Sequence, residues 1–326
     1  MDMFNEAVWP STFDDREIDD IVWSEIKDST ARGDFVCYLI HRPQKSQHRD
    51  EVQARLKVME NGTQLPTGYA RAAERIRTLA EAGNPTAMFH MGKLYVHGIG
   101  LEQNMREAES WYRRGIAAGD LRSHCNLGWI YLYGFGDIPP NKEEAFRLLS
   151  VGAAGGVFVA KASVGLMLLN GDGCEADPER GIRMLEESFN EGYNNAGNHL
   201  SDAYFLGKQV PQNLELGHEW LSKVAARGDE RSMAILGHYL VSGSHGKTDV
   251  PRGLQLLHDA IAKEYLPAYQ WLGNLYRDGT GVEHDQSKAW EWYEKGSAAG
   301  NTGCDLALAA MKLTTPTDVN GSPTMH

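Results

Sequence analysis

The chain repeats itself, and no other property limits its possible folds as tightly. Gly83, Gly119, Gly156, Gly192, Gly228, Glu264 and Gly300 follow one another at intervals of 36, 37, 36, 36, 36 and 36 residues. Nine residues after each of the first six stand Gly92, Gly128, Gly165, Ser201, Gly237 and Gly273. Six residues further on come Gly98, Gly134, Gly171, Gly207, Gly243 and Gly279. A row of small residues, Ala108, Ala145, Gly181, Gly217, Gly253 and Ala289, lies eleven before each closing position. Six units in phase indicate one module copied in tandem, not the two domains that 326 residues would otherwise suggest.

Inside a unit the apolar residues fall three or four apart. Met91, Leu94 and Tyr95 mark one helix, and Trp111, Tyr112 and Ile116 a second. The Gly98 row follows the first helix, where a left-handed residue closes the last turn. The Gly92 row lies within that helix, where glycine costs about 1 kcal/mol relative to alanine. Its recurrence predicts close approach of two helix backbones, with the Ala108 row as the facing surface. The second helix carries Trp111, Leu148, Met184, Trp220, Leu256 and Trp292, with Tyr112, Leu149, Leu185, Leu221, Leu257 and Tyr293 beside them. One hairpin cannot bury that much apolar surface, so neighbours must stack and share a core. The expected fold is all-α: a right-handed α-solenoid of about six 36-residue helix–turn–helix units, with flanking helical caps and almost no strand.

The segment from Leu272 to Val282, followed by Asp285, Lys288-Ala289 and Trp292-Tyr293, is similar to the Sel1-like repeat, a relative of the tetratricopeptide repeat. Leu127-Gly128-Trp129-Ile130-Tyr131 with Gly134 and Gly136 repeats it, as does Met91-Gly92-Lys93-Leu94-Tyr95 with Gly98 and Gly100. The resemblance covers about residues 83–300. Half-units extend it, with Tyr69 to Ala82 as a lone second helix and Thr302 to Met311 as a lone first helix. Some units depart from the pattern: Ser201 replaces a glycine, Leu168 and Leu240 replace the tyrosine, and Pro139-Pro140 lengthens one loop.

This resemblance implies a non-enzymatic scaffold or adaptor, of bacterial type, that holds a partner protein or peptide in a concave groove lined by first helices. If Met91, Gly92 and Tyr95 face the stack, helical geometry turns positions 86, 89, 93, 96 and 97 toward the groove. Translation by the repeat then gives Phe89, Lys93 and His97; Arg122, Trp129 and Tyr133; Leu166 and Asn170; Asp202 and Phe205; Arg231 and His238; Asn274 and Arg277. Trp129, Tyr133, Leu166, Leu169, Phe205 and Leu206 would form an apolar centre. Lys93, Arg122, Arg231 and Arg277 against Asp202 and Asp278 would leave a local +2, favouring a ligand with acidic flanks.

Residues 1–66 lie outside the repeat and read as an acidic, mainly helical N-terminal cap region. Nine acids against Arg16 and Lys27 give residues 1–30 a net charge of −7. Ile18, Ile21, Val22 and Ile26 keep a helical apolar stripe, suited to shield the open end of the stack. The alternative is an acidic arm that folds into the protein's own groove or contacts a basic partner. Phe35 to Ile40 reads as a short β-prone run, and Asp50 to Glu60 as helix. The solenoid proper then spans 67–312, and 313–326 reads as a disordered tail.

The remaining signals exclude more than they assign. A net charge of −12 argues against nucleic acid as a partner and against anionic membrane surfaces. No segment approaches the roughly 18 apolar residues needed to cross a bilayer, so membrane insertion is not expected. Cys37, Cys125, Cys174 and Cys304 show no CxxC pairing, and with no basic, apolar leader this indicates a reducing cytoplasm. His245-Gly246-Lys247-Thr248 lacks the leading glycine of a phosphate loop, Val241 standing in its place. Ser24-Glu25-Ile26-Lys27 matches a penicillin-enzyme nucleophile motif, but its companion motifs are absent. No histidine spacing suits a metal, and no cofactor is expected. Two rival readings remain: an immunity protein blocking one cognate toxin, and, further off, a hydrolase or β-lactam-binding protein.

Overall fold

The computed structural model describes residues 15–30, 32–41, 46, 48–58 and 68–314. Seventeen helices occupy them: α1 (Arg16–Ile26), α2 (Arg32–His41), α3 (Arg49–Val58), α4 (Gly68–Glu81), α5 (Pro85–His97), α6 (Met105–Ala117), α7 (Leu121–Tyr133), α8 (Lys142–Ala154), α9 (Phe158–Asn170), α10 (Pro178–Asn190), α11 (Asn194–Leu206), α12 (Leu214–Ala226), α13 (Glu230–Ser242), α14 (Val250–Ala262), α15 (Pro267–Asp278), α16 (Gln286–Ala298) and α17 (Thr302–Thr314). Among the described residues there is no strand, only an isolated bridge between Phe135 and Ile138. The architecture is an all-α solenoid of helix hairpins. It divides into two compact units, one ending at Ser188 and the other beginning at Phe189.

Each hairpin is punctuated by the same chemistry. Second helices start on Asn104, Asn141, Asp177, Asn213, Asp249 and Asp285, whose side chains accept the backbone N–H three residues on. Such a cap satisfies one of the orphan donors of a helix N-terminus and contributes about 1 kcal/mol. First helices end on left-handed glycines at 98, 171, 207, 243 and 279. Gly134 departs, at φ 71° and ψ 144°, because the loop behind it is lengthened and Pro140 packs directly over it.

The glycine row inside the first helix meets two kinds of neighbour. A Cβ on Gly165 would stand 2.9 Å from the Gly181 carbonyl oxygen, and one on Gly237 2.7 Å from that of Gly253. Those hairpins close backbone to backbone, as the pairing with the Ala108 row predicts. Where Ser201 replaces the glycine, its hydroxyl donates to the Gly217 carbonyl at 2.9 Å, so the same contact becomes a hydrogen bond. At Gly92 and Gly273 the space is filled instead by the rings of Tyr112 and Tyr293, and at Gly128 by Leu149.

In the first unit, α1 packs on α4 and supplies the first helix that the lone α4 lacks. Ile18, Val22 and Ile26 are buried in one core with Tyr69, Ala73, Ile76, Met91 and Trp111. The segment from Phe35 to Ile40, expected to be β-prone, lies within helix α2. Its aromatic residues serve burial: Phe35 and Tyr38 enter the same core, and the Tyr38 hydroxyl donates to Asp19 at 2.7 Å. Tertiary packing overrides strand propensity there. The expected tail, 313–326, falls outside the described residues from 315 onward, and residues 313 and 314 complete α17. No described helix is long and apolar enough to cross a membrane.

Candidate functional site

The positions chosen as groove-lining separate into an interior set and a surface set. In the first unit Phe89 is buried, with the Arg122 guanidinium 4.4 Å from its ring centroid. Arg122 itself is only 1% exposed. Its Nη1 donates to Asp15 at 2.6 Å, its Nη2 to Thr86 at 3.1 Å, and its Nε and Nη2 to Asp120 at 3.1 and 3.0 Å. The same Asp15 oxygen lies 3.0 Å from Nε2 of the buried His90. An acid at the start of α1 is thereby locked onto α5 and α7. Trp129 is 2% exposed and donates its indole N–H to Ser163 of α9 at 3.0 Å. Lys93, His97 and Leu166 are half-buried, whereas Asn170 and Tyr133 are exposed, Tyr133 by 50%.

The second unit sorts in the same way. Phe205 is buried among His218, Tyr239 and His245, with ring centroids 5.2, 5.6 and 4.3 Å away. Its neighbour Leu206 is 59% exposed. Asp202 and Arg231 are exposed, and His238 sits half-buried edge-on to Trp271. Half-buried Asn274 accepts the Tyr293 hydroxyl at 2.7 Å, and half-buried Arg277 forks onto Asp278 at 2.7 and 2.8 Å. Burial holds His199, His218 and His238 below the ordinary histidine value, and it raises the Asp202 carboxyl against the pull of His199 and Arg231.

Two expectations are therefore corrected. Phe89, Arg122, Trp129, Leu169 and Phe205 are interior residues: most of the rows of Phe89 and Val96 are buried, and Trp129, in the row of Lys93, is buried where its indole meets Ser163 of α9. The surplus of positive charge also disappears. Arg122 is met by Asp15 and Asp120 and Arg277 by Asp278, so four bases face four acids once Asp15 and Asp120 join Asp202 and Asp278. Asp15 was legible only as one of many acids, with no spacing signal tying it to Arg122. What stays on the surface is the last position of each first helix: Tyr133, Asn170, Leu206 and Asp278 are exposed, and His97 and Ser242 half-buried.

The motif-like segments are used structurally. The Ser24 hydroxyl donates to the Ile21 carbonyl at 2.8 Å and accepts from Arg75 at 2.6 Å. Arg75 and Arg71 hold the Glu25 carboxyl below its ordinary value. His245-Gly246-Lys247-Thr248 forms the loop between α13 and α14, with His245 in the left-handed region at φ 64°. Among the described residues, no group of three or more His, Cys, Asp and Glu could hold a metal ion.

The Sel1 repeat family model matches residues 85–120, 121–157, 159–193, 190–229 and 266–301, more than half the chain. The hairpin it passes over, α13–α14, keeps the Gly237–Gly253 approach and the left-handed Gly243. That hairpin places His245 and Glu264 at φ 64° and 65°, where most other units carry glycine. Uncharacterized protein NMB1327 of Neisseria meningitidis serogroup B is 24% identical over 225 residues, 69% of this chain and 46% of that protein. The structure of c5321, a protective antigen present in uropathogenic Escherichia coli strains, superposes with a TM-score of 0.59 at 23% identity. It covers 73% of this chain and 51% of its own. A Sel1 repeat protein from Oxalobacter formigenes gives 0.58 at 24% identity, with coverage of 70% and 91%. At these identities the structural likeness is one of fold. The chain spans less than half the length of the Neisseria relative. On the matched repeats and the hairpin geometry together, the chain belongs to the Sel1 repeat family.

Proposed function

We propose that this chain is a non-enzymatic scaffold that holds a partner protein or peptide against the exposed edge of its first helices. Sel1 repeat proteins generally mediate protein–protein interaction. The single observation carrying the reading here is that each unit leaves a large apolar side chain exposed at the end of a first helix, Tyr133 by 50% in the first and Leu206 by 59% in the second. Large apolar and aromatic side chains of this kind are the groups that anchor protein interfaces. Each unit also has exposed polar groups for a rim, Asn170 in the first and Asp202 and Arg231 in the second.

All four cysteines carry free thiols, and burial raises each thiol, that of Cys304 to about 11. Unreactive free thiols support a reducing, cytoplasmic setting. The test is a photoreactive amino acid placed at position 133 or 206 in the native host, with position 183 on α10 as an exposed control. The reading expects a discrete adduct from 133 and 206 and none from 183. Identical adduct patterns at all three positions would refute it.

A further inference from the structure

The repeat register says which positions a neighbouring turn should cover, and α17 leaves two of them open. Leu306 occupies the position of Phe89, Cys125, Ala162 and Ala234, all buried, and of the half-buried Asn198 and Gln270. Leu313 occupies that of Val96, Leu169, Phe205 and Val241, also buried, and of the half-buried Leu132 and Arg277. On α17 they are 73% and 89% exposed. The opposite side of the helix is used: Cys304 and Met311 are buried in a core with Tyr293, and Leu308 packs against it. Leu306, Ala309 and Leu313 thus form an outward stripe at helical spacing. Residues 315–326 contain Pro316 and Pro323, with Val319 and Met325 as their large apolar residues.

We infer that the occupant is α17 of a second copy of this chain, packed antiparallel across a two-fold axis. The stripe is self-complementary: a leucine at each end and alanine at the middle bring Leu306 of one copy opposite Leu313 of the other, with the helices closest where the side chains are smallest. Charge selects the direction. Asp305, which accepts the Ser297 hydroxyl at 2.5 Å, and Lys312, whose ammonium lies 5.7 Å from the Trp290 ring centroid, are both exposed on one flank of the stripe, and like flanks face each other in an antiparallel pair. Each Asp305 then meets the other copy's Lys312, giving two ion pairs, whereas a parallel two-fold pair would put these flanks on opposite sides and form neither. A two-fold contact of this kind is isologous and closes at the dimer. One pair of thirteen-residue helices is a small interface, so the dimer is concentration-dependent, in about the micromolar range. The inference is independent of the partner-binding reading, which uses other surfaces.

The test is sedimentation of the full chain from about 1 µM to about 1 mM. The expected result is a shift from 36.2 kDa to twice that mass. Leu306→Glu and Leu313→Glu should each raise the dissociation constant by about thirtyfold or more with helical CD unchanged, the weight of a central interface residue. Lys312→Asp should weaken the dimer, and adding Asp305→Lys in the same chain should restore it. A wild-type chain that stays at 36.2 kDa throughout would overturn the inference. So would a dimer indifferent to both glutamate variants, and a charge reversal that fails to rescue would overturn the antiparallel pairing.

Discussion

The two ends of the repeat array treat the same problem differently. Before α4, the chain adds α1 to α3, and Ile18, Val22 and Ile26 are buried against the stack although they belong to no repeat. At the other end α17 stands as a lone first helix, and Leu306 and Leu313 remain in solvent. In a stack of modules, whether a leucine is core or surface depends on the presence of the next turn and not on the residue or its local pattern. The N-terminal end goes further. Asp15 reaches past the cap to Arg122, so the closing segment is anchored by charge as well as by burial.

Substitutions at the two ends should separate sharply. Ile26→Ala removes a fully buried side chain and should destabilise the first unit by about 2–5 kcal/mol in urea unfolding. Gly237→Ala drives a methyl group to 2.7 Å from the Gly253 carbonyl. It should cost about 1–3 kcal/mol despite the better helix propensity of alanine, whereas the same change at a solvent-facing helix glycine would stabilise. Asp15→Ala should cost about 1.5 kcal/mol, the low end for a charged hydrogen bond because Asp120 still holds Arg122. Limited proteolysis should then cut first between residues 15 and 30. Leu313→Ala, measured dilute enough to keep the chain monomeric, should change stability by no more than about 0.5 kcal/mol.

The last contrast is graded with pH. His199, His218 and His238, all in the second unit, are held neutral by burial, so their folded values lie below the ordinary 6.5. Their contribution is complete above pH 6.5 and is lost as the pH falls from there through the lower folded values. Asp202 works in the opposite sense, since its raised carboxyl gains a proton on acidification and relieves a burial penalty. Hydrogen exchange followed from pH 7 to pH 5 should show α11 to α13 loosening before α5 to α8.

The hairpins were legible because repetition multiplies weak signals: the glycine that ends the first helix, the glycine within it and the large residues of the second helix all recur in phase. The helix from Arg32 to His41 was not, because Phe35, Val36 and Tyr38 read as strand when α1 is out of view. The candidate site was half legible. Helical periodicity identifies one face of each first helix, but it does not say how much of that face the neighbouring first helix covers. Trp129 and Tyr133 lie one turn apart and on the same face, yet Trp129, bonded to Ser163 of α9, is buried while Tyr133 is 50% exposed. Arg122 looked like a groove cation because its partner Asp15 lies 107 residues away.

Hydroxyl-radical footprinting of the isolated chain, read residue by residue by mass spectrometry, tests this division between lateral and open positions most directly. The account predicts rapid oxidation of Tyr133 and Leu206 and protection of Trp129 and Phe205, even though a free indole is the most readily oxidised of these groups. Oxidation of Trp129 and Phe205 at rates matching Tyr133 and Leu206 would contradict it.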